Sequence, residues 1–526
     1  MKKIELDKPL FTLSVVFTAI ILCYTILNPS SAEAVFGAMF HWVCYDAGWL
    51  VLLAGLAALI LCIWISLSRY GKIRLGGEDA KPAFSFSTYA FMMFTSGVGS
   101  SLIYWAMGEP MYYLSDPPMY AEAGSVQASM WAITYPLFHW GPTAWAIYCI
   151  PGIPFAYYLH CRNKKQLRLS NVCEDVIGKK NANGILGYII NIFAVFGTMC
   201  AVSTGIGFCA DLICSGFNTL AGTPNNLISQ LLVVLAFVLT FTITVLFGIK
   251  KGVAKVSDIC TYTALGLGLY VLIFGKSQFI LSYYTDSIGV MFQNYFRMST
   301  WLDPVGGSPF PHDWTVYYWA WYFAYLVMMG LFLAKISKGR TLKEMILTCV
   351  IAGSAGCSFF TGIFGGYAVG MQTSGVYNLI EWMNEMGTSP AIIKLIQTLP
   401  LGSIVLVVFL IVEFFLMSTT LTSATYSLSM MSSKNMSVEE EPSNPVKIVW
   451  AIAVSGMSIV ALLMGGSISA IKSVTVAAGF PMLILYVIIM IAFFKWVKKD
   501  MKKATTAENG DIIIHYDEEN DSKEKQ

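Results

Sequence analysis

Charge is what this chain has least of. Only 12% of its 526 residues are Asp, Glu, Lys or Arg, where an ordinary soluble domain carries about a quarter. With 56% hydrophobic residues, a water-soluble globule is excluded. Histidine is also scarce: His41, His139, His160, His312 and His515 are scattered. No H-E-x-x-H motif or serine–lysine pairing accompanies them, so the machinery of a hydrolase or metalloenzyme is missing. The 12 cysteines include no C-x-x-C pair and fall mostly inside apolar segments, as Cys200, Cys209 and Cys214 do. They read as small buried hydrophobes. The net charge of +2 says nothing about nucleic acid, but no basic patch follows an RNA- or DNA-binding pattern, so no nucleic-acid partner is expected.

Long apolar runs dominate what is there. A helix needs about 20 apolar residues to cross the hydrocarbon core. By that measure twelve spans are expected, at about 10–28, 48–69, 85–114, 129–160, 186–215, 227–249, 256–284, 313–334, 343–371, 401–433, 446–467 and 473–496. The first follows "MKKIELDKPLF" and lacks a small-residue cleavage site, so it reads as a span rather than a leader. Two amphipathic stretches, "DSIGVMFQNYFRMST" and "YNLIEWMNEMGTSPAIIKLIQTL", are expected to lie along the surface. Arg69, Lys72, Arg74, Lys81, Arg162, Lys164, Lys165, Arg168, Lys179, Lys180, Lys250, Lys251, Lys255, Lys335, Lys338, Arg340 and Lys343 fall in alternate loops. Lys276, Arg297, Lys394 and Lys472 fall on the other side. The positive-inside rule then places both termini in the cytoplasm of a multi-pass protein of the cell membrane.

Two spans carry polar interruptions. The third reads "FTSGVGSSLIYWAMGEP" and the tenth "MSTTLTSATYSLS". Glycine and hydroxyl residues inside a membrane helix either permit close packing or mark unwound backbone beside an ion site. Both readings stand at this level. Glu109, before Pro110 at the outer end of the third span, reads either as helix-end structure or as a substrate contact.

Aromatic residues concentrate in the eighth span, "WTVYYWAWYFAY", where Trp314, Tyr318, Trp321 and Tyr325 fall at i, i+4, i+7 and i+11. That spacing puts four rings on one face over about three turns, deeper than an interfacial belt. The fourth span offers "FHWGPTAWAIY", with Trp140, Trp145 and Tyr148 beside the helix-breaking Gly141 and Pro142. A quaternary ammonium has no N–H to donate, and aromatic faces suit it at roughly 0.5–2 kcal/mol per contact. The alternative reading is a packed aromatic core.

These segments, with "GEPMYYLSDPP" and "FPHDWTVYYWAWYFAYLVMMGLFLAKISKGRTLKEM", resemble the betaine/carnitine/choline transporter family over about residues 10 to 495. The pattern is most similar to the L-carnitine/γ-butyrobetaine antiporter branch. The resemblance implies an all-α membrane protein of twelve transmembrane helices in a LeuT-like fold with two inverted five-helix repeats. It divides the chain into a cytoplasmic N-terminus (1–9), two peripheral helices (10–84), a first repeat (85–285), a surface amphipathic helix (286–312), a second repeat (313–497) and a cytoplasmic tail (498–526). It further implies a homotrimer in the lipid bilayer and alternating-access transport of a small quaternary ammonium zwitterion, namely carnitine, γ-butyrobetaine or glycine betaine. No enzymatic activity and no organic cofactor is implied.

Carried over by motif, the central aromatic box is expected to use Trp140, Trp321, Tyr322 and Tyr325, with Tyr112 beside them and Met329 near the substrate carboxylate. Trp314 and Tyr318 match an outer substrate site. Where the sodium-independent antiporter has an arginine in the seventh span, this chain has Cys260. The tenth span carries Thr422 and Ser423 where sodium-coupled members place hydroxyl ligands, and the carbonyls of Thr95 and Val98 complete that expected site. Coupling to one sodium ion is the reading, with sodium-independent exchange as the alternative. Ser101 stands where choline-selective relatives place an aspartate, which favours a zwitterion over the other alternative, choline uptake. The same pocket in a non-transporting osmolyte receptor is the reading from a different class. The acid-rich end of the short tail is expected to be repelled by an anionic leaflet rather than docked to it, which implies metabolic uptake and no part in osmotic regulation.

Overall fold

The computed structural model describes residues 5–96, 100–246, 250–434, 436, 440–463 and 468–516. Apart from two small two-stranded sheets, its elements are helices. In chain order they are α1 (Lys8–Leu27), α2 (Pro29–His41), α3 (Gly48–Leu67), α4 (Phe86–Ser96), α5 (Ser100–Ser115), α6 (Val126–His139) and α7 (Pro142–Ala156). The single-turn α8 (Leu169–Val172), α9 (Glu174–Ile177) and α10 (Lys179–Ala182) follow, then α11 (Ile185–Ala221), α12 (Leu227–Leu246), α13 (Lys250–Phe274) and α14 (Ser277–Thr300). The second half holds α15 (Tyr317–Ala324), α16 (Leu326–Ile336), α17 (Leu342–Phe360), α18 (Gly366–Thr373), α19 (Leu379–Met386), α20 (Thr388–Gln397), α21 (Gly402–Met431), α22 (Asn444–Leu463), α23 (Ile468–Val476) and α24 (Gly479–Asp500).

Among the described residues, seven helices are long and apolar enough to cross a membrane, and nine if two bent pairs count as one span each. The three other expected crossings, the third, fourth and eleventh, fall on interrupted or short helices: α4 with α5, α6 with α7, and α22. Large apolar side chains such as Ile20, Leu27, Ile60, Ile228 and Leu232 stand exposed on the outside of these helices. An exterior of that kind suits hydrocarbon and not water.

The interruptions have local causes. Between α6 and α7 the chain turns at Gly141, where an added Cβ would lie 2.4 Å from the Leu137 carbonyl oxygen, and Pro142 begins the new helix. The eighth span bends by 58° between Pro311–Ala324 and Leu326–Ile336. A bend of 109° separates α13 from α14; Gly275 there has no room for a Cβ beside the Val271 carbonyl oxygen. The seventh helix therefore ends at Phe274 rather than running on to 284. The tenth span, by contrast, is one unbroken helix, α21. Its Ser418, Thr419, Thr420, Thr422, Ser423, Ser427 and Ser429 hydroxyls each donate to a carbonyl four residues back. Hydroxyls satisfied in this way leave the backbone ladder intact, so the polar run does not unwind the helix.

Both described ends of the chain lie on one face. Strand β1 (Glu5–Leu6) pairs with β2 (Ser433–Lys434) below α21. The hairpin of β3 (Thr505–Thr506) and β4 (Ile512–Ile513) lies against the loop after α3. There the Arg74 amide donates to the Ile512 carbonyl at 3.0 Å, the Arg74 guanidinium meets Asp511 at 3.0 Å, and Arg162 covers the Tyr516 ring at 4.6 Å. The tail from Thr505 to Tyr516 is thus docked on the protein; its acid-rich end, residues 517–526, which carries the expectation about the leaflet, lies outside the described residues. Burial of Ile513 and Ile514 contributes roughly 1.5–3 kcal/mol each. Truncation after Ala504 is expected to lower the melting temperature by at least a few degrees in a detergent thermal-shift assay. An unchanged melting curve would mean that the docked hairpin adds no stability.

Candidate substrate site

The central site is built around the two helix breaks. Trp140 closes α6 at the Gly141 turn, and Tyr325 occupies the bend between α15 and α16. Together with Trp321, Trp145, Tyr148, Ser101 and Met329 they line a cavity of about 110 Å³ between α5, α7, α11, α16 and α21. The rings stand at steep angles. Trp140 and Trp321 have centroids 6.0 Å apart at 83°, and Tyr148 meets Tyr325 at 5.6 Å and 80°. Non-parallel rings around one space form walls rather than a stack. Their polar atoms are tied back. The Trp321 indole and the Tyr325 hydroxyl both donate to the Ala201 carbonyl at 3.0 Å, and the Trp140 indole donates to Glu109 at 3.1 Å. Among the described residues, no charged side chain lines this cavity.

A second cavity of about 550 Å³ shares Ser96, Met328, Met329 and Thr420 with the first. It continues past Thr95, Thr422 and Ser423 to Lys335 and Glu441, toward the face that carries the chain ends. Thr95, Thr422 and Ser423 therefore face one space. Their hydroxyls donate to the carbonyls of Phe91, Ser418 and Thr419. Val98 lies outside the described residues. Cys260 is buried beside this cavity in α13, but its neighbour Thr261 is the residue on the wall.

On the opposite side the site is sealed. Glu109, fully buried within α5, accepts from the Tyr113 hydroxyl at 2.5 Å, the Tyr318 hydroxyl at 2.9 Å and the Trp140 indole at 3.1 Å. The His139 Nδ1 lies 2.7 Å from Oε1, the oxygen that also accepts from Tyr113, while Tyr318 and Trp140 share Oε2; His139 Nε2 reaches Thr315 at 3.0 Å. Glu109 is thus neither a helix-end residue nor part of the cavity wall. It is the centre of a buried network that joins α5, α6 and α15 above the box. Trp105, Tyr112, Tyr113, Trp314 and Tyr318 pack into the same plug. The other intramembrane acids differ from it. Asp211 accepts from Asn225 and Gln230 near the end of α11, and Glu413 is buried in α21 with neither oxygen hydrogen-bonded among the described residues.

Of the sequence-derived set, the fold brings Trp140, Trp321, Tyr325 and Met329 to one cavity. Tyr322 stands behind them: its hydroxyl donates to the His139 carbonyl at 3.0 Å, and its ring packs on Trp140 and Tyr148. Tyr112 sits in the plug, 5.5 Å from Trp314, with its hydroxyl 2.5 Å from Thr388 Oγ1. Trp314 and Tyr318 are also in the plug, and the face of Trp314 is covered by the Lys472 ammonium. Residues that the motifs did not supply include Val202 and Gly205 of α11, Cys357 of α17 and Met417 of α21. The small-residue run "AVSTGIG" at 201–207 is the one sequence trace of that wall.

An all-helical, multi-span protein with a mid-depth cavity, reachable from one face and plugged toward the other, has the architecture of a membrane transporter rather than of an enzyme. The chain matches the family model described as "BCCT, betaine/carnitine/choline family transporter" over residues 9–502. It belongs to the betaine/carnitine/choline transporter family.

Proposed function

We propose that this protein carries a quaternary ammonium zwitterion of the carnitine, γ-butyrobetaine or glycine betaine type by alternating access. The trimethylammonium group occupies the box of Trp140, Tyr148, Trp321 and Tyr325. The observation that carries this reading is a cavity walled by four differently oriented rings with no carboxylate on it among the described residues. Aromatic faces compensate dehydration of a cation that cannot hydrogen-bond. The ligand's own carboxylate, and not a protein acid, balances its charge, which also supports a zwitterion over choline. The larger cavity opens toward the lysine-bearing face, taken as cytoplasmic in the cell membrane, so the described conformation is inward-facing.

One sodium ion is the proposed coupling ion. Thr95, Thr422 and Ser423 converge on one cavity, and each hydroxyl gives its proton to a helix carbonyl, which leaves oxygen lone pairs for a hard cation. Such an ion would supply a fixed positive charge between α4 and α21. Exposed Phe292 and Phe296 on α14 support assembly through that helix into the proposed homotrimer.

An inward sodium gradient is expected to drive L-carnitine uptake into empty proteoliposomes, and Ser423→Ala to raise the sodium concentration for half-maximal uptake. Uptake that is unchanged in potassium would remove the sodium reading. The second reading, sodium-independent exchange, is favoured by Met329 on the cavity wall. It predicts uptake only into vesicles loaded with γ-butyrobetaine.

A further inference from the structure

The plug holds a cation of its own. Lys472, in α23 at the start of the last span, is 6% exposed. Its Nζ lies 3.4 Å from the centroid of Trp314, 4.7 Å from that of Tyr317 and 5.9 Å from that of Trp105. Among the described residues it makes one hydrogen bond, donated to the Asp313 carbonyl at 2.9 Å. The Asp313 carboxylate is engaged by the Tyr45 hydroxyl at 2.9 Å. Glu109 is engaged by its own network. No carboxylate among the described residues forms an ion pair with Lys472.

An ammonium taken out of water costs several kcal/mol unless something replaces its hydration. Here three ring faces and one carbonyl do so, within the roughly 6 Å range of cation–π attraction. This is how the same rings would hold a quaternary ammonium, and the two cations cannot occupy the face of Trp314 together. We propose that the Lys472 ammonium is a built-in occupant of the outer aromatic cage, which an external quaternary ammonium must displace; the inference rests on the transport reading above. Exchange of the lysine ammonium for a ligand's quaternary ammonium group keeps one positive charge against the ring faces. Lys472 on Trp314 also bridges α23 to the start of the eighth span, so the plug closes when the cage passes from ligand to lysine. The lysine thereby sets how tightly the outer face accepts a ligand.

The test uses the purified full-length chain and tetramethylammonium, which carries the cationic group alone. Lys472→Met and Lys472→Gln are each titrated by calorimetry; Gln keeps a donor for the Asp313 carbonyl and guards against loss of folding. Both are expected to bind tetramethylammonium roughly tenfold more tightly than the parent chain, with one additional equivalent bound. Lys472→Arg is expected to stay at the parent affinity, and Trp314→Ala added to Lys472→Gln to cancel the gain. No gain in either neutral variant, or a gain that survives Trp314→Ala, would overturn the proposal. L-carnitine binding to the parent chain and its loss in Trp321→Ala test the transport reading separately. A parent chain indifferent to L-carnitine would remove that reading, while the tetramethylammonium comparison still decides the role of Lys472.

Discussion

Trp321→Ala is expected to weaken binding of the proposed zwitterionic substrate by several-fold to about thirtyfold, as the loss of one ring contact of roughly 1–2 kcal/mol requires. The indole is buried against the cavity, is anchored to the Ala201 carbonyl, and forms one wall with Trp140 at 83°. Trp319→Ala is the matched control two residues away. Trp319 faces the other side of α15, packs edge-on to Phe138, and presses on Gly55, where an added Cβ would lie 2.9 Å from its ring. Its removal leaves a core cavity that costs about 3–5 kcal/mol of stability and leaves the box intact. Ligand titration and thermal melting on both variants separate the roles: affinity falls in the first and stability in the second. Equal affinity losses in the two would make the aromatics of the eighth span a packed core and no cage.

Glu109→Ala is expected to be the most damaging single change in the site. It strips the acceptor from Tyr318 and Trp140 and removes Glu109 from the Tyr113–His139 pair, whose hydroxyl and Nδ1 keep only each other at 2.9 Å in a fully buried setting. Each donor left unpaired there costs about 1–3 kcal/mol. Two of these groups orient the box and the plug, so transport should fall at least about tenfold together with stability. Glu109→Gln keeps the shape and one acceptor oxygen and should fall between the two. Glu109 acts here as a positioning residue, because it holds the Trp140 indole without reaching the cavity. A positioning role predicts that Glu109→Gln lowers substrate affinity and transport rate together. Parent-like uptake by Glu109→Ala would contradict the network.

The aromatic wall was legible where chemistry repeats with the helix. Trp321 and Tyr325, four residues apart, share a face, and the breaks at Gly141–Pro142 announce themselves by residue type. Tyr322 was not separable from them, since one residue further along a helix turns the side chain by about 100° and only the position of α6 shows that this direction meets the His139 carbonyl. The same limit applies to Glu109: its donors lie 4, 30, 31 and 209 residues away, and no local pattern collects them. The polar run of α21 misleads in the opposite direction. Hydroxyls that look like a break in an apolar helix each find a carbonyl one turn back, and the helix runs through.

Composition and periodicity alone settle the membrane location, the helical architecture and the aromatic character of the site, because each depends on the chain's immediate surroundings: hydrocarbon around apolar runs, and a 3.6-residue turn that aligns rings. The packing of distant helices decides the rest. It selects Trp140, Tyr148, Trp321 and Tyr325 as the walls of one cavity, seals the side that holds Glu109, and lays Lys472 across Trp314. Ring–ring, ring–cation and carboxylate contacts act over a few ångströms. They come into being only when segments hundreds of residues apart are folded against one another.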